Sequence, residues 1–366
     1  MKKSINKFLS KDLIINLLII AAFAIISLTY FYPLLSGKQI KQSDIDQFAG
    51  MSKQIVDHRE KYEEEPFWLD NAFLGMPSYQ VLVKYPFDFL DKIDKIIRFL
   101  PRPADYLFVY LVSFFLLLLS MKVKSEYAFF GAIAFAFSTY LIIILGVGHN
   151  TKALAIGYAP LIFAGLFKIL DNKYLQGFII ASIGLGLQIN ANHYQMTYYF
   201  LMLVGLITAV YVINDIAKKD AKNGFKKLGL VFSTIIFGIL LNASSILATQ
   251  EYTDFSTRGK SEISINPDGT EKENLGGLSN YYITEYSYGK LESFNLIVPR
   301  FMGGGSSDLI DKDSEFVKEI RKYDNESANI IYRNARLYWG DQPIVAAPAY
   351  IGISVFYIFL ISLFFI

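Results

Sequence analysis

Long stretches free of charge constrain this chain more than any other feature. A helix needs roughly 20 mainly apolar residues to cross about 30 Å of hydrocarbon, because each residue rises about 1.5 Å. Segments 13–35, 106–121, 127–145, 153–170, 175–191, 197–213, 228–248 and 345–366 meet or approach that requirement. They predict an all-α polytopic membrane protein that crosses the bilayer about eight times. Composition agrees, since 53% of the residues are hydrophobic although two long polar stretches lie between the apolar ones. The chain has no cysteine, which removes disulfides, thiolate chemistry and Cys-based metal sites.

The first apolar segment follows Lys2, Lys3, Lys7 and Lys11. It is too long for the apolar core of a cleaved signal peptide, and no small-x-small cleavage site follows it. A retained anchor helix is the expectation. The last segment stops at Ile366 without a polar cap, which suggests the N-terminal part of a longer protein.

Short connections give the orientation. Lys122 and Lys124 follow the second segment, Lys168 and Lys173 flank the turn after the fourth, and Lys218, Lys219, Lys222, Lys226 and Lys227 follow the sixth. The connections after the third and fifth carry only Lys152. Lysine-rich short loops stay on the cytoplasmic side, so the N-terminus is expected inside and residues 36–105 and 249–344 outside. The expected organisation is a bundle over 1–248 that includes the first outer loop, a second outer loop over 249–344, and a further spanning helix beginning at 345.

The first outer loop contains two helical patterns, at 48–62 and 87–100. In the second, Phe89, Leu90, Ile93, Ile96, Ile97 and Leu100 share a face, opposite Asp88, Asp91, Lys92, Lys95 and Arg98. Its position just before a spanning segment reads as a helix in the interface plane, with packing against the rest of the loop as the alternative. In the second loop, 261–277 reads as a flexible excursion with a turn at Asn266-Pro267-Asp268-Gly269. Gly303-Gly304-Gly305 reads as another flexible point, and 311–323 as a short polar helix.

Polar residues with chemical potential gather on the expected outer side. His58, His149 and His193, the only three histidines, all map there. So do Asp44, Asp46 and Gln47, the turn Gly148-His149-Asn150-Thr151-Lys152, and Asn190-Ala191-Asn192-His193-Tyr194-Gln195. Polar groups at a membrane boundary are costly unless they find partners or water, so their convergence predicts one wet cavity at the outer mouth of the bundle. Ordinary roles compete: short turns need polar residues, and Asp44 and Asp46 could cap a helix starting near Phe48. Arg258, at the start of the second loop, suits a phosphate because its planar fork matches an oxyanion; a surface role is the alternative. No His-x-x-x-His or Glu-x-x-His spacing points to a metal. The Gly303–Gly305 run lacks the strand and the Gly-Lys-Ser/Thr ending of a phosphate loop.

Several strings occur together in order. They are Gln42-Ser43-Asp44-Ile45, Glu65-Pro66-Phe67-Trp68, Phe73-Leu74-Gly75-Met76-Pro77-Ser78-Tyr79-Gln80, Gly148-His149-Asn150-Thr151-Lys152, and Asn192-His193-Tyr194-Gln195. Glu251-Tyr252 with Ser256-Thr257-Arg258-Gly259, and Tyr338-Trp339-Gly340-Asp341-Gln342-Pro343, complete the set. Across nearly the whole chain this pattern resembles YfhO-type bacterial membrane proteins, which are similar to the GT-C class of glycosyltransferases. The resemblance implies a GT-C-like helical bundle with two large extracytoplasmic loops in the bacterial cytoplasmic membrane. It implies transfer of a sugar from a polyprenyl-phosphate carrier to an envelope glycan or lipid acceptor, with inversion at the anomeric carbon. The class's carboxylate in the first outer loop maps to Asp44, with Asp46 second. Gln47, His149, Asn150, Lys152, His193, Gln195 and Arg258 become expected substrate contacts. A second acidic motif, found in parts of the class, is missing from the Gly148–Lys152 turn, which leaves metal dependence open. No cofactor is implied beyond the lipid-linked sugar donor, and nucleic acid is not an expected partner.

Two other readings compete. A flippase or lipid-linked sugar transporter predicts ionisable residues or broken helices near mid-membrane, whereas these segments are nearly uncharged there. A non-catalytic assembly protein predicts that the outer loops bind partners and that Asp44 is dispensable.

Overall fold

The computed structural model describes residues 11–86, 88–256, 258–259, 265, 267–271, 278–343 and 348–365. It divides into two compact units, one built from residues up to 137 with 144–252, the other from 138–143 with 253 onward. The first is mostly helical; the second holds short helices joined by turns and loops.

In the first unit, α1 (Lys11–Tyr30) is followed by a 3-10 turn (Tyr32–Ser36) and α2 (Ser43–Tyr62). A small β-ladder pairs β1 (Trp68–Leu69) with β2 (Met76–Pro77), antiparallel, with Leu69 opposite Met76. Then come α3 (Phe89–Ile97), α4 (Ala104–Ser120), α5 (Ser125–Ala136), α6 (Thr139–Val147), α7 (Asn150–Leu170), α8 (Tyr174–Asn190), α9 (Tyr194–Ala217), α10 (Ala221–Leu240) and α11 (Ala243–Thr253). Helix α6 begins in the stretch assigned to the second unit, and α11 ends in it.

Among the described residues, four helices are long and apolar enough to cross a membrane: α1, α7, α9 and α10. A fifth crossing results if α5 and α6, bent by 49° at their junction, count as one span. Of the other predicted segments, 106–121 falls on the 17-residue apolar α4, and 175–191 on α8. Segment 228–248 is split between α10 and α11.

The core lies between α7 and α8. Their backbones nearly touch: a Cβ at Gly165 would stand 2.3 Å from the Ala181 nitrogen, and one at Gly177 2.6 Å from the Ile169 nitrogen. Membrane helices associate through such small residues, because lipid offers no hydrophobic incentive and close packing must supply the attraction. Ile162, Leu166, Ile169, Leu185 and Ile189 fill the seam, joined by Val204 of α9 and Val231 of α10. At one end of the bundle Lys122 Nζ meets Asp171 Oδ1 at 2.6 Å, and Lys227 Nζ meets Asp215 Oδ2 at 2.8 Å, so the lysine-rich turns carry their own counter-charges.

Helix α3 packs rather than floating free. Leu90 joins Val109, Tyr158 and Leu187 in a buried cluster edged by Ile93 and Ile97. The expected polar face is corrected at Arg98: its guanidinium is buried, donating to Asp94 and, at 2.9 Å, to Asp105 Oδ2, while the Tyr158 hydroxyl donates to Asp94 Oδ1 at 2.6 Å. The helix turns Asp94 and Arg98 inward together and leaves Phe89 and Ile96 exposed. The reason is electrostatic: a buried cation needs its carboxylates beside it, and Asp94 is one helical turn away from Arg98.

The second unit holds short helices α12 (Asn280–Thr284), α13 (Glu315–Arg321) and α14 (Asn325–Asn334), then the apolar α15 (Ile353–Ser362). The expected helix at 311–323 is the shorter α13. Residues 345–347 and 366 of the last predicted segment, residue 344 at the end of the predicted second outer loop, and most of 261–277 lie outside the described residues. The glycine run is not a free hinge: the Gly304 N–H donates to the Leu337 carbonyl at 2.9 Å and the Gly305 N–H to Asp308 at 3.0 Å. Gly303 adopts φ +87° with the Leu337 carbonyl where a Cβ would stand, so glycine is required there by close packing.

Candidate functional site

Helix α2 starts at Ser43, earlier than the expected Phe48, with Gln42 as N-cap and no side-chain capping bond. Asp44 and Asp46 are therefore corrected as caps: both lie inside the first turn, where a carboxylate complements the partial positive charge of the free N–H groups.

The turn before α7 meets this helix start. Gly148 takes φ +92°, and a Cβ there would stand 3.0 Å from Gln42 Cβ and 3.5 Å from Asp44 Cβ. Gln42 Nε2 donates to the Leu145 carbonyl and holds the two segments together. The result is a direct contact between His149 Nε2 and Asp44 Oδ2 at 3.2 Å, with each side chain a little over two-fifths exposed. A substrate can therefore reach both groups.

His193, at the N-terminus of α9, completes the grouping. Its imidazole is held below the usual histidine value, first by burial, then by the positive charge of Lys152 and by His149. Lys152 lies in the first turn of α7, half-buried, with no ion pair among the described residues. The α7/α8 packing brings the start of α7 and the end of α8 to the same end of the bundle. Two buried polar side chains there lack hydrogen-bond partners among the described residues, Asn150 at Oδ1 and Gln188 at both amide atoms. Such groups normally mark places where another polar species belongs.

Asp44, His149, Lys152 and His193 are thus gathered in one unit, with Asn150 beside them in the chain. Gln195 points elsewhere, donating to the Tyr199 hydroxyl at 2.8 Å on an exposed face. Asp46 and Gln47 are exposed on α2. Arg258 belongs to the second unit, in an exposed turn where its own N–H donates to Ser256 Oγ at 3.2 Å. No group of three or more metal-ligating side chains occurs among the described residues.

A set of aromatic residues escaped the sequence reading. Tyr85 has its phenol pushed up by burial and then by Tyr194 and Tyr79, while Tyr79 is pushed up by burial and then by Glu251. Gln80 Nε2 donates to Thr249 Oγ1 at 3.0 Å, and the Tyr79 and Tyr252 rings meet edge to face at 6.3 Å. The first loop therefore folds onto α11 beside Tyr194, the neighbour of His193. The only prior signal was the position of Tyr79-Gln80 and Glu251-Tyr252 within the recurring strings. Comparison with family models, curated proteins and solved structures returns no match, so the geometry of this site is what speaks for its function.

Proposed function

We propose that this chain is a GT-C-like, polytopic glycosyltransferase of the bacterial cytoplasmic membrane. It transfers a sugar from a polyprenyl-phosphate donor to an envelope acceptor on the outer face. The contact between Asp44 and His149, beside His193 and Lys152, carries this reading.

An acceptor hydroxyl is a weak nucleophile until a base takes its proton. His149 engages Oδ2 of Asp44, and the carboxylate stays a little over two-fifths exposed, within reach of an acceptor that gives up that proton. As the acceptor oxygen bonds to the anomeric carbon, the bond from that carbon to the phosphate oxygen breaks, and polyprenyl phosphate leaves with the electron pair. Direct displacement inverts the anomeric centre. Lys152 supplies positive charge to the leaving phosphate, and a neutral His193 donates a hydrogen bond without competing for the acceptor's proton.

Replacing Asp44→Asn keeps the size and removes the base. The expected outcome is a loss of transfer of about 10²- to 10⁴-fold with insertion and folding unchanged. Mass spectrometry of envelope glycans and polyprenyl-phosphate sugars, in cells with the gene, without it and with the variant, makes the comparison. Identical profiles in all three sink the transferase; a changed profile that ignores Asp44→Asn favours a flippase or an assembly protein.

A further inference from the structure

A cavity of about 440 Å³ lies along α2, apart from the Asp44–His149 contact. That is within the ~300–1,000 Å³ usual for small-molecule sites. Gly50, Gln54, Asp57, His58, Tyr62 and Asn71 line it, and it is broadly open to solvent. The walls are tied in place: Gln54 Oε1 accepts the Asp70 and Asn71 N–H groups at 3.0 and 3.2 Å. The Asn71 amide also lies over the α2 backbone, 3.4 Å from the Gly50 carbonyl.

Gly50 is the telling residue. Glycine in a helix interior costs about 0.8–1.0 kcal/mol relative to alanine, and close packing is the usual reason to keep one. Here no atom lies within 4 Å of where a Cβ would stand. What the missing side chain leaves is open space.

The lining chemistry narrows the occupant. An anion is disfavoured, because Lys53 is already bonded to Asp57 at 2.9 Å and Lys61 lies over the Tyr62 ring at 4.8 Å. A purely apolar ligand would strand the carboxylate and amides. A saccharide suits this mixed lining: its hydroxyls can share Asp57 with Lys53 and meet the Asn71 amide, and a C–H face can lie against the His58 ring, whose centroid stands 4.7 Å from that of Tyr62. Helical spacing also puts Asp46 and Gln47 on the same face of α2 as Gly50, Gln54 and Asp57. At about 1.5 Å per residue, the face runs from about 9 Å beyond Asp44 at Gly50 to about 27 Å at Tyr62.

We propose that this groove binds a saccharide, the sugar chain of the acceptor, and that Asp46 and Gln47 guide it toward Asp44. The role as acceptor rests on the transferase reading; saccharide binding itself does not.

The test uses the full chain in lipid nanodiscs, with N-acetylchitotetraose and maltotetraose as probes and sodium phosphate as the contrast. Saturation-transfer NMR and calorimetric titration read binding. Wild type, Gly50→Ala and Asp44→Asn are expected to bind at least one saccharide. Gly50→Leu, which puts a bulky side chain into the open space beside Gly50, is expected to weaken binding at least tenfold at unchanged helix content. The proposal is overturned if neither saccharide binds, if Gly50→Leu binds as well as wild type, or if phosphate displaces the sugar. Saccharide binding that responds to Gly50→Leu, in a protein whose transfer ignores Asp44→Asn, would keep the groove and discard the transferase.

Discussion

His193 shows how one side chain reports on its surroundings. Burial and the nearby Lys152 both disfavour imidazolium, so the ring stays neutral into more acidic solution than a free histidine, whose value is about 6.5. Below that value the unfolded chain takes up a proton that the folded site resists. The stability tied to this group is therefore full above the ordinary histidine range and falls as pH drops through it toward the lowered folded value. Replacing Lys152→Gln removes one cause, and the His193 titration is expected to move upward in an NMR pH series. An unmoved titration would mean that Lys152 is not where its charge is felt. Glu65 illustrates the opposite balance. Burial alone would raise its carboxyl, but Arg59, bonding at 2.6 Å, and the Lys84 N–H at 3.0 Å outweigh it and hold the group below the usual carboxylate value. This pair clamps the end of α2 to the loop that walls the groove.

At the scale of elements, the α7/α8 seam is the least forgiving part of the bundle. A side chain at Gly165 would run into the Ala181 backbone, which cannot rotate away. Gly165→Val is expected to cost at least about 1–3 kcal/mol and to lower the melting temperature in detergent, whereas Gly50→Ala should not destabilise. Equal melting of Gly165→Val and wild type would contradict the close approach. The helices themselves were legible, because apolar runs and short polar turns state a helical bundle directly. The break between α5 and α6 was not: residues 127–145 carry no charge, and the Ser138-Thr139 pair at the break does not by itself separate a bent pair from a straight span. Nor was the inward turn of Arg98, since a charge on an amphipathic pattern reads as solvated until its two carboxylates are seen around it. The Asp44–His149 meeting was legible only as residue types at matching turns; the Gly148 conformation that joins them is a three-dimensional fact.

For the whole molecule, the lack of cysteine makes orientation directly measurable, since any introduced thiol stands alone. Gln47→Cys and Lys219→Cys are both at exposed positions. With the lysine-rich turns inside, a membrane-impermeant maleimide added to intact spheroplasts is expected to label the first and spare the second until the cells are opened. Labelling in the reverse order would put the Asp44 end in the cytoplasm and remove the lipid-linked donor from its reach.

Six residues of the second unit, Ser138–Ile143, come from the middle of the first unit's chain, and the Thr139 N–H donates to the Tyr350 carbonyl. On a ribosome adding about 5–20 residues per second, that carbonyl emerges about 200 residues, or roughly 10–40 s, after its donor. The segment from 138 to 143 is therefore synthesised well before the part of the second unit that it bonds to. No uninterrupted stretch of the gene encodes the second unit by itself, and any stretch that encodes the whole first unit carries these six residues of the second with it.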